Sequence, residues 1–155
     1  MTAAEQAHVE VVQQLYENVL NENKTDLLSS LLSEDIVFHT FAEEHGLIAY
    51  KALTERLRTS FPDLYFTLND LIATGDRVVV RWTMDATHNG PLGNVPATGK
   101  RVQQKAIVIY RFEDGKITEG WAQMDRLGVL QQVGAIPAAG AAFRLGATEQ
   151  AASSR

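Results

Sequence analysis

Apolar residues recur every three or four positions in the first part of the chain, a spacing typical of amphipathic helices. Three such helices are predicted, and Pro62 ends the third of them. A brief strand candidate, Ile36–His39, and a polar stretch, TFAEEHG, separate the second helix from the third. The three predicted helices span about residues 4–21, 27–32 and 50–61.

From Leu64 onward the apolar residues alternate with a period of two, as in strands with one buried face. Two of the connections, Gly75-Asp76 and Asp114-Gly115, carry the signals of tight hairpin turns. The middle connection, NGPLGNVPATGK, is longer, and a short apolar helix at Leu127–Val133 follows the last strand. The predicted strands are Leu64–Ala73, Arg77–His88, Arg101–Phe112 and Lys116–Met124.

Helices followed by an antiparallel sheet indicate an α+β fold. Three helices cover only one face of a four- or five-stranded sheet, so we expect the sheet to curve around the N-terminal helices and to enclose an interior pocket. The outer face, with Val79 and Thr83 among its charges, is expected to form a homodimer. Residues 1–137 are predicted to be one domain, and 138–155 a loose tail that packs at most through Phe143 and Leu145.

Strand alternation predicts which side chains reach the pocket. The core-facing side of Arg77–His88 contains Trp82, Met84 and His88. In the last strand Trp121, Gln123 and Asp125 share one side, and if Trp121 points inward the other two do so as well. The remaining candidates for the pocket wall lie at element ends, and they are His39, Phe41 and Phe61.

Asp125 has two interpretations. A carboxylate in an apolar, aromatic-lined pocket is costly to ionise, so its pKa rises and it becomes a candidate for proton transfer. Alternatively, Asp125 caps the helix that begins at Arg126, a position that suits aspartate. The third residue after it is Gly128, so the Glu or Gln of a capping box is missing, which argues against the cap.

The other candidates also have structural interpretations. A single buried histidine such as His88 is more often a hydrogen-bonded part of the core than a catalyst. Trp82, Trp121 and Phe61 are large aromatic residues that usually fill a core. Both interpretations remain open for each of these residues.

The composition excludes several function classes. The net charge of −5 argues against a nucleic-acid surface, and the absence of cysteine excludes disulfides and thiolate chemistry. No helical pair of metal ligands and neither GxSxG nor GxGxxG occurs, so no metal or cofactor is expected. No apolar run reaches the length of a membrane span, and the N-terminus lacks the order of a signal peptide, so a cytoplasmic protein without membrane contact is expected.

Several motifs together resemble a known family over roughly Gln6 to Val133. They are FPD, GDRVVVRW, the THxG-like THNG, PATGK, RFEDGKI and WxxxDxLGxLQQ. The chain is thereby identified as similar to the SnoaL-like polyketide cyclases of the nuclear-transport-factor-like or ketosteroid-isomerase-like superfamily. This resemblance implies a cone-shaped α+β fold and catalysis without metal or cofactor.

The resemblance also implies a reaction and residues for it. In cyclases of this family an inward aspartate on the last long strand is the acid/base of an intramolecular aldol ring closure, and it matches Asp125 through WxxxDxLG. A pocket histidine is usual, and His88 and His39 are the candidates. The implied substrate is a small, hydrophobic, carbonyl-rich molecule. The sequence departs from the family in FHTFAEEHG after the first strand and in the apolar run Ala106–Val108, where a polar pocket group is expected.

Three alternatives remain. Double-bond isomerisation of the ketosteroid-isomerase type needs an inward Tyr/Asp pair, which the sequence does not make evident. Epoxide opening needs an Asp–Arg–Asp set, and Arg81 and Asp85 are predicted on the outer face. A non-catalytic ligand-binding or dimerisation module is the third alternative, and helix amides that engage Asp125 would favour it.

Overall fold

The computed structural model describes residues 1–137, so the predicted tail with Phe143 and Leu145 lies outside the described residues. Its first helix, α1, spans Ala3–Gln14 and continues without a break into a π-helical turn at Leu15–Leu20. In that turn the Asn21 N–H donates to the Tyr16 carbonyl at 2.9 Å, the wider spacing of a π-helix. A 3₁₀ turn at Thr25–Leu27 leads into α2, Leu28–Leu31, and the other helices are α3, Leu47–Ser60, and α4, Arg126–Gln132.

The strands form one mixed sheet in the order β2-β1-β6-β5-β4-β3. β1 runs parallel to β6, and every other neighbouring pair is antiparallel. The strands are β1, Leu32–His39; β2, Glu43–His45; β3, Tyr65–Thr74; β4, Arg77–Thr87; β5, Arg101–Glu113; and β6, Lys116–Met124.

The predicted α+β class is confirmed, and the four long strands and the helices lie within a few residues of their expected bounds. The expectation of a purely antiparallel sheet of four or five strands is wrong. β1 enters the sheet from a helix rather than from a hairpin, so no tight turn makes it antiparallel to β6. β2 is only three residues long and strongly polar, so no apolar alternation predicts it.

The turn between β5 and β6 has the predicted hairpin geometry. Asp114 and Gly115 have φ values of 50° and 77°, and a type I′ turn requires two such left-handed residues. The turn at Gly75, with φ 56°, joins β3 to β4 in the same tight manner. These hairpins fix the register of β3 against β4 and of β5 against β6, and hence the face on which each of their side chains lies.

The core lies between the helices and the inner face of the sheet. β4 directs Val80, Trp82 and Met84 inward, as the alternation predicts. β5 adds an inner row of Val102, Gln104, Ala106, Val108, Tyr110 and Phe112. The helices cover this face with Val9, Val12, Leu15, Tyr16, Val19 and Leu20.

The predicted inward side of β6 is wrong. Gly120 and Ala122 face inward, whereas Trp121 and Gln123 are exposed on the outer face. Gly120 pairs with Phe38 on one side and Tyr110 on the other, and a Cβ there would lie 2.8 Å from Phe38 Cδ1 and 3.1 Å from Tyr110 Cδ1. Rings from the neighbouring strands therefore fill the space above β6.

Candidate active site in the interior cavity

A cavity of about 340 Å³ lies between the π-helical turn after α1, α3 and the inner face of the sheet. This volume is large enough for a small molecule. Its wall is mainly apolar and aromatic. The apolar residues that line it include Leu20, Phe38, Phe41, Leu53, Leu57, Phe61, Phe66, Leu92, Val108, Ala122, Met124 and Val129.

Three tyrosines contribute hydroxyl groups to this cavity. The hydroxyls of Tyr16 and Tyr110 are 2.6 Å apart and hydrogen-bonded, and Tyr50 lies beside Tyr110 and also lines the cavity. Burial is the main cause that raises the pKa of all three phenols above the ordinary value of 10.0. The phenols are therefore neutral hydrogen-bond donors over the whole physiological range.

The Tyr16–Tyr110 hydrogen bond leaves one hydroxyl proton available. Each phenol has a single proton, and the bond between the two oxygens uses one of them. The other can be donated to a third oxygen, either that of Tyr50 or that of a ligand. A chain of buried hydroxyls polarises each donor in turn, so the terminal donor is a stronger one than an isolated phenol.

Two more polar groups face the same cavity. The Trp82 indole N–H is buried and makes no hydrogen bond of normal geometry within residues 1–137. It lies near the Tyr16 hydroxyl, where it offsets part of the rise in the pKa of Tyr16 that burial causes. Gln104 lies on the inner face of β5 and also lines the cavity. An unpartnered buried donor is costly, so a ligand oxygen that paired with Trp82 would remove that cost.

The cavity wall also includes charged residues from three elements. Glu44 of β2 pairs with Arg56 of α3 at 3.2 Å. The Arg126 guanidinium, at the start of α4, lies 4.2 Å from the centre of the Phe41 ring. Among the described residues that line the cavity, Glu44 is the only carboxylate.

Asp125, predicted to face the pocket, does not line it. The residue is exposed, and its Oδ1 accepts the Gly128 N–H at 2.9 Å as the N-cap of α4. A Cβ at residue 128 would lie 2.2 Å from Asp125 Oδ2, so only glycine leaves room for the folded-over carboxylate. The cap therefore forms without the Glu or Gln of a capping box.

His88 is fully buried, as predicted, but it is not among the residues that line the cavity. Its Nδ1 lies 2.9 Å from Thr98 Oγ1 and accepts the Thr98 N–H at 3.3 Å, which assigns the ring proton to Nε2. Its backbone also pairs with Lys100 and Gly99. This geometry corresponds to the structural interpretation of His88, in which it anchors the loop between β4 and β5.

His39, Trp121 and Gln123 lie on the outer face, away from the cavity. His39 Nε2 lies 2.8 Å from Glu119 Oε2, and the imidazole stacks on Trp121 with ring centres 5.6 Å apart. The His39 hydrogen bond, followed by Arg111, lowers the pKa of Glu119. The prediction that these three residues contact a ligand in the pocket is wrong in its geometry, because β1 and β6 turn these positions outward.

Three predicted ligand contacts, Phe41, Phe61 and Trp82, do line the cavity, while Met84 is buried in the core beside it. Sequence reasoning missed the three tyrosines, Gln104 and Glu44. Alternation along Arg101–Phe112 places Gln104 and Tyr110 on the side of Val108, and helical spacing places Tyr16 on the buried stripe. Those two signals were available in the sequence, whereas nothing in it predicts the short strand that holds Glu44.

Within residues 1–137, no three His, Asp or Glu side chains are grouped so that they could hold a metal ion. No helix in the same range is long and apolar enough to cross a membrane.

The model of the SnoaL-like polyketide cyclase family matches residues 10–133, most of the chain. The chain belongs to this family. The resemblance predicted from the sequence is thereby confirmed, and the arrangement of helices and sheet is that of this SnoaL-like fold. A comparison with curated proteins gives no match.

Several solved structures share the fold. TsrD from Streptomyces laurentii is 32% identical, with a TM-score of 0.75 over 88% of this chain and 98% of that chain. AclR from Streptomyces galilaeus, a suggested hydroxylase, is 27% identical, with a TM-score of 0.81 over 96% of this chain and 94% of its own. IdmH from Streptomyces antibioticus, a suggested polyketide cyclase, is 27% identical, with a TM-score of 0.73 over 82% of this chain and 98% of that chain.

Proposed function

We propose that this SnoaL-like protein is a cofactor-independent acid/base enzyme that closes a ring in a polyketide-like molecule by an aldol reaction inside the cavity. Family membership supports ring closure, and the observation that carries the proposal to this cavity is the Tyr16–Tyr110 pair in an apolar wall. A hydrophobic, carbonyl-rich molecule matches such a wall with a few donors.

In this proposal the buried donors bind the carbonyl oxygen of the substrate. An enolate places negative charge on that oxygen, and neutral phenols aimed at it stabilise the charge without reorganisation. Loss of one donor of this kind typically slows catalysis by about 10²–10³-fold. The apolar walls fold the chain so that the nucleophilic carbon lies near the second carbonyl, which lowers the entropic part of the barrier.

A small-ligand binder without catalysis is the second candidate. The observation that favours it is the capping of α4 by Asp125, the residue to which the family resemblance assigns acid/base chemistry. Both candidates use the same cavity, so they differ only in whether the bound molecule is transformed.

The test is an assay with an aromatic poly-β-ketone ester, in which mass spectrometry follows the formation of a cyclised isomer or its dehydrated product. Ala122→Phe places a ring in the cavity, and Gln123→Phe places the same ring on the outer face of the same strand. We expect wild type and Gln123→Phe to form the product and Ala122→Phe to lose it. Circular dichroism checks that both variants fold, and the smaller Ala122→Leu serves if Ala122→Phe does not.

Binding without product would support the second candidate. Equal product from wild type and a folded Ala122→Phe would refute the cavity as the site.

We also propose a homodimer through the outer face of the sheet. Ile107, Ile109 and Trp121 are adjacent there, with exposures of 52%, 39% and 36%. Exposed apolar side chains that are adjacent on a sheet face favour association with a partner subunit, which would bury them. Sedimentation should give a dimer that Ile107→Lys converts to a monomer, and a monomeric wild type at assay concentrations would refute it.

A further inference from the structure

Glu44 lies on the inner face of the sheet although its neighbours in β2 do not. It is directly opposite Phe38 in the antiparallel β1–β2 pair, while Glu43 is opposite His39. Residues opposite each other share a face, with Cβ atoms about 4.5–5.5 Å apart. Phe38 is buried against the cavity and His39 lies outside, so Glu44 faces the cavity and Glu43 the solvent.

The Phe38 ring connects Glu44 to the tyrosines. It stacks on Tyr110 at 6.3 Å with an angle of 11° between the rings, and it meets the edge of Tyr50 at 5.3 Å. Glu44 approaches Phe38 from β2, and the phenols approach it from β5 and α3. A ligand that lies along Phe38 would therefore have hydroxyl donors at one part and a carboxylate at another.

The surroundings keep the Glu44 carboxylate in place. Its side chain is 22% exposed, and it accepts a hydrogen bond from Arg56 Nη2 through one oxygen, Oε1. No other hydrogen bond to this carboxylate occurs within residues 1–137, so Oε2 is available to a ligand. Of the acidic residues in that range, Glu44 alone lines the cavity.

We infer that Glu44 is the general base of this site and removes the acidic proton of the substrate. The inference rests on the proposed acid/base function and gives its missing proton acceptor a position. In the step, the C–H bond next to a carbonyl breaks, its electrons form the enolate, and the proton moves to the Glu44 carboxylate. The enolate carbon then attacks the second carbonyl, a C–C bond forms, and the proton returns from Glu44 to the new alkoxide. No oxidant, reductant or other reactant is needed.

The experiment follows deuterium uptake by 2-tetralone, a bicyclic aromatic ketone, in D₂O by mass spectrometry. This probe reports proton abstraction and does not require ring closure. Glu44→Gln should lose about 10²-fold or more of the enzymatic exchange rate, because general-base catalysis contributes about 10²–10⁴-fold. Glu43→Gln is the matched control on the same strand and should keep the wild-type rate.

Two further measurements separate catalysis from positioning. Binding of 2-tetralone is followed by Trp82 fluorescence in a Trp121→Phe background, and Glu44→Gln should bind as wild type does. In Glu44→Ala, added acetate should restore part of the exchange, since a small carboxylate can take the place of the missing base. A purely structural role of Glu44 gives no rescue.

The outcomes distinguish this inference from the proposed function. If exchange depends on Glu44 and no cyclised product forms from the poly-β-ketone ester, the cyclase proposal fails and the base assignment stands. If cyclisation occurs and Glu44→Gln retains it, or if wild type binds 2-tetralone without exchanging it, the assignment is overturned.

Discussion

The two faces of β6 show opposite distributions of side-chain size. The inner face has Gly120 and Ala122, next to the aromatic rings of Phe38 and Tyr110. The outer face has Trp121, which is 36% exposed. A sheet fills its interior by contributions from several strands, so the small residues of one strand mark the place where rings of its neighbours lie.

This difference explains the position of the cavity. Phe38, Tyr110 and the tyrosines of the helices extend over the small residues of β6 and leave a space lined by hydroxyls. Two polar side chains of β6, Glu119 and Gln123, face outward. Glu119 binds His39 on the outer face, and Gln123 is exposed there. The interior donors come from β4, β5, α3 and the π-helical turn after α1.

The largest difference between the faces should appear in the two tryptophans. Trp82 is 4% exposed, so Trp82→Ala should lower the free energy of unfolding by about 3–5 kcal/mol through lost burial and a cavity. Trp121→Ala should cost less than about 1 kcal/mol, because a partly exposed ring loses little. Urea unfolding at several protein concentrations measures both and separates subunit association. Equal losses would contradict the assignment of inner and outer faces.

Gly120→Ala tests the close packing of rings above β6. The added methyl group would meet the Phe38 ring, which Tyr50 and Tyr110 hold in place. Overpacking of this kind costs about 1–3 kcal/mol. Gln123→Ala, on the opposite face, is the control and should change stability by less than about 0.5 kcal/mol. A neutral Gly120→Ala would mean that Phe38 is free to move.

The cap of α4 gives a smaller effect. Asp125→Ala should lower the free energy of unfolding by about 1 kcal/mol, because the Gly128 N–H loses its acceptor. Asparagine keeps a capping oxygen, so Asp125→Asn should remain close to wild type in thermal unfolding. If alanine is as stable as aspartate, the contact does not contribute.

The smallest effect is the pH dependence that arises from Glu119 on the outer face. Hydrogen bonds from His39 and Arg111 lower its pKa from an ordinary value of 4.5. The stabilisation is therefore present above about pH 4.5 and is lost as the pH falls through the lowered value. At neutral pH Glu119→Gln should be less stable than wild type by under about 1 kcal/mol, as is usual for partly exposed pairs. The free energies of unfolding of wild type and Glu119→Gln, measured by denaturation at descending pH, should converge. A difference between them that widens in acid would refute this origin.

The fold was largely predictable because its signals are local. Helical spacing, strand alternation and two hairpin turns each act over a few residues, and they give the bounds of four long strands and the main helices. β2 and the parallel pairing of β1 with β6 depend on contacts between distant segments. No pattern within Leu32–His45 determines them.

The site was predictable only in part. Phe41, Phe61 and Trp82 line the cavity as expected, and alternation along β4 is sufficient to orient Trp82. The orientation of β6 was not predictable from its own residues. The side chains that fill the space above its inner face are the rings of Phe38 and Tyr110, which belong to the neighbouring strands. Choosing the largest aromatic residue as the inward one therefore gave Asp125 the wrong face.

The most direct test of the central claim is the rate of ring closure by Tyr110→Phe and Asp125→Asn, measured side by side on the poly-β-ketone ester. Tyr110→Phe keeps the ring and removes a buried hydroxyl that lines the cavity, whereas Asp125→Asn changes only the charge of an exposed helix cap. The interior site predicts a loss of about 10²-fold for Tyr110→Phe and a wild-type rate for Asp125→Asn. A wild-type rate for Tyr110→Phe together with an inactive Asp125→Asn would contradict it.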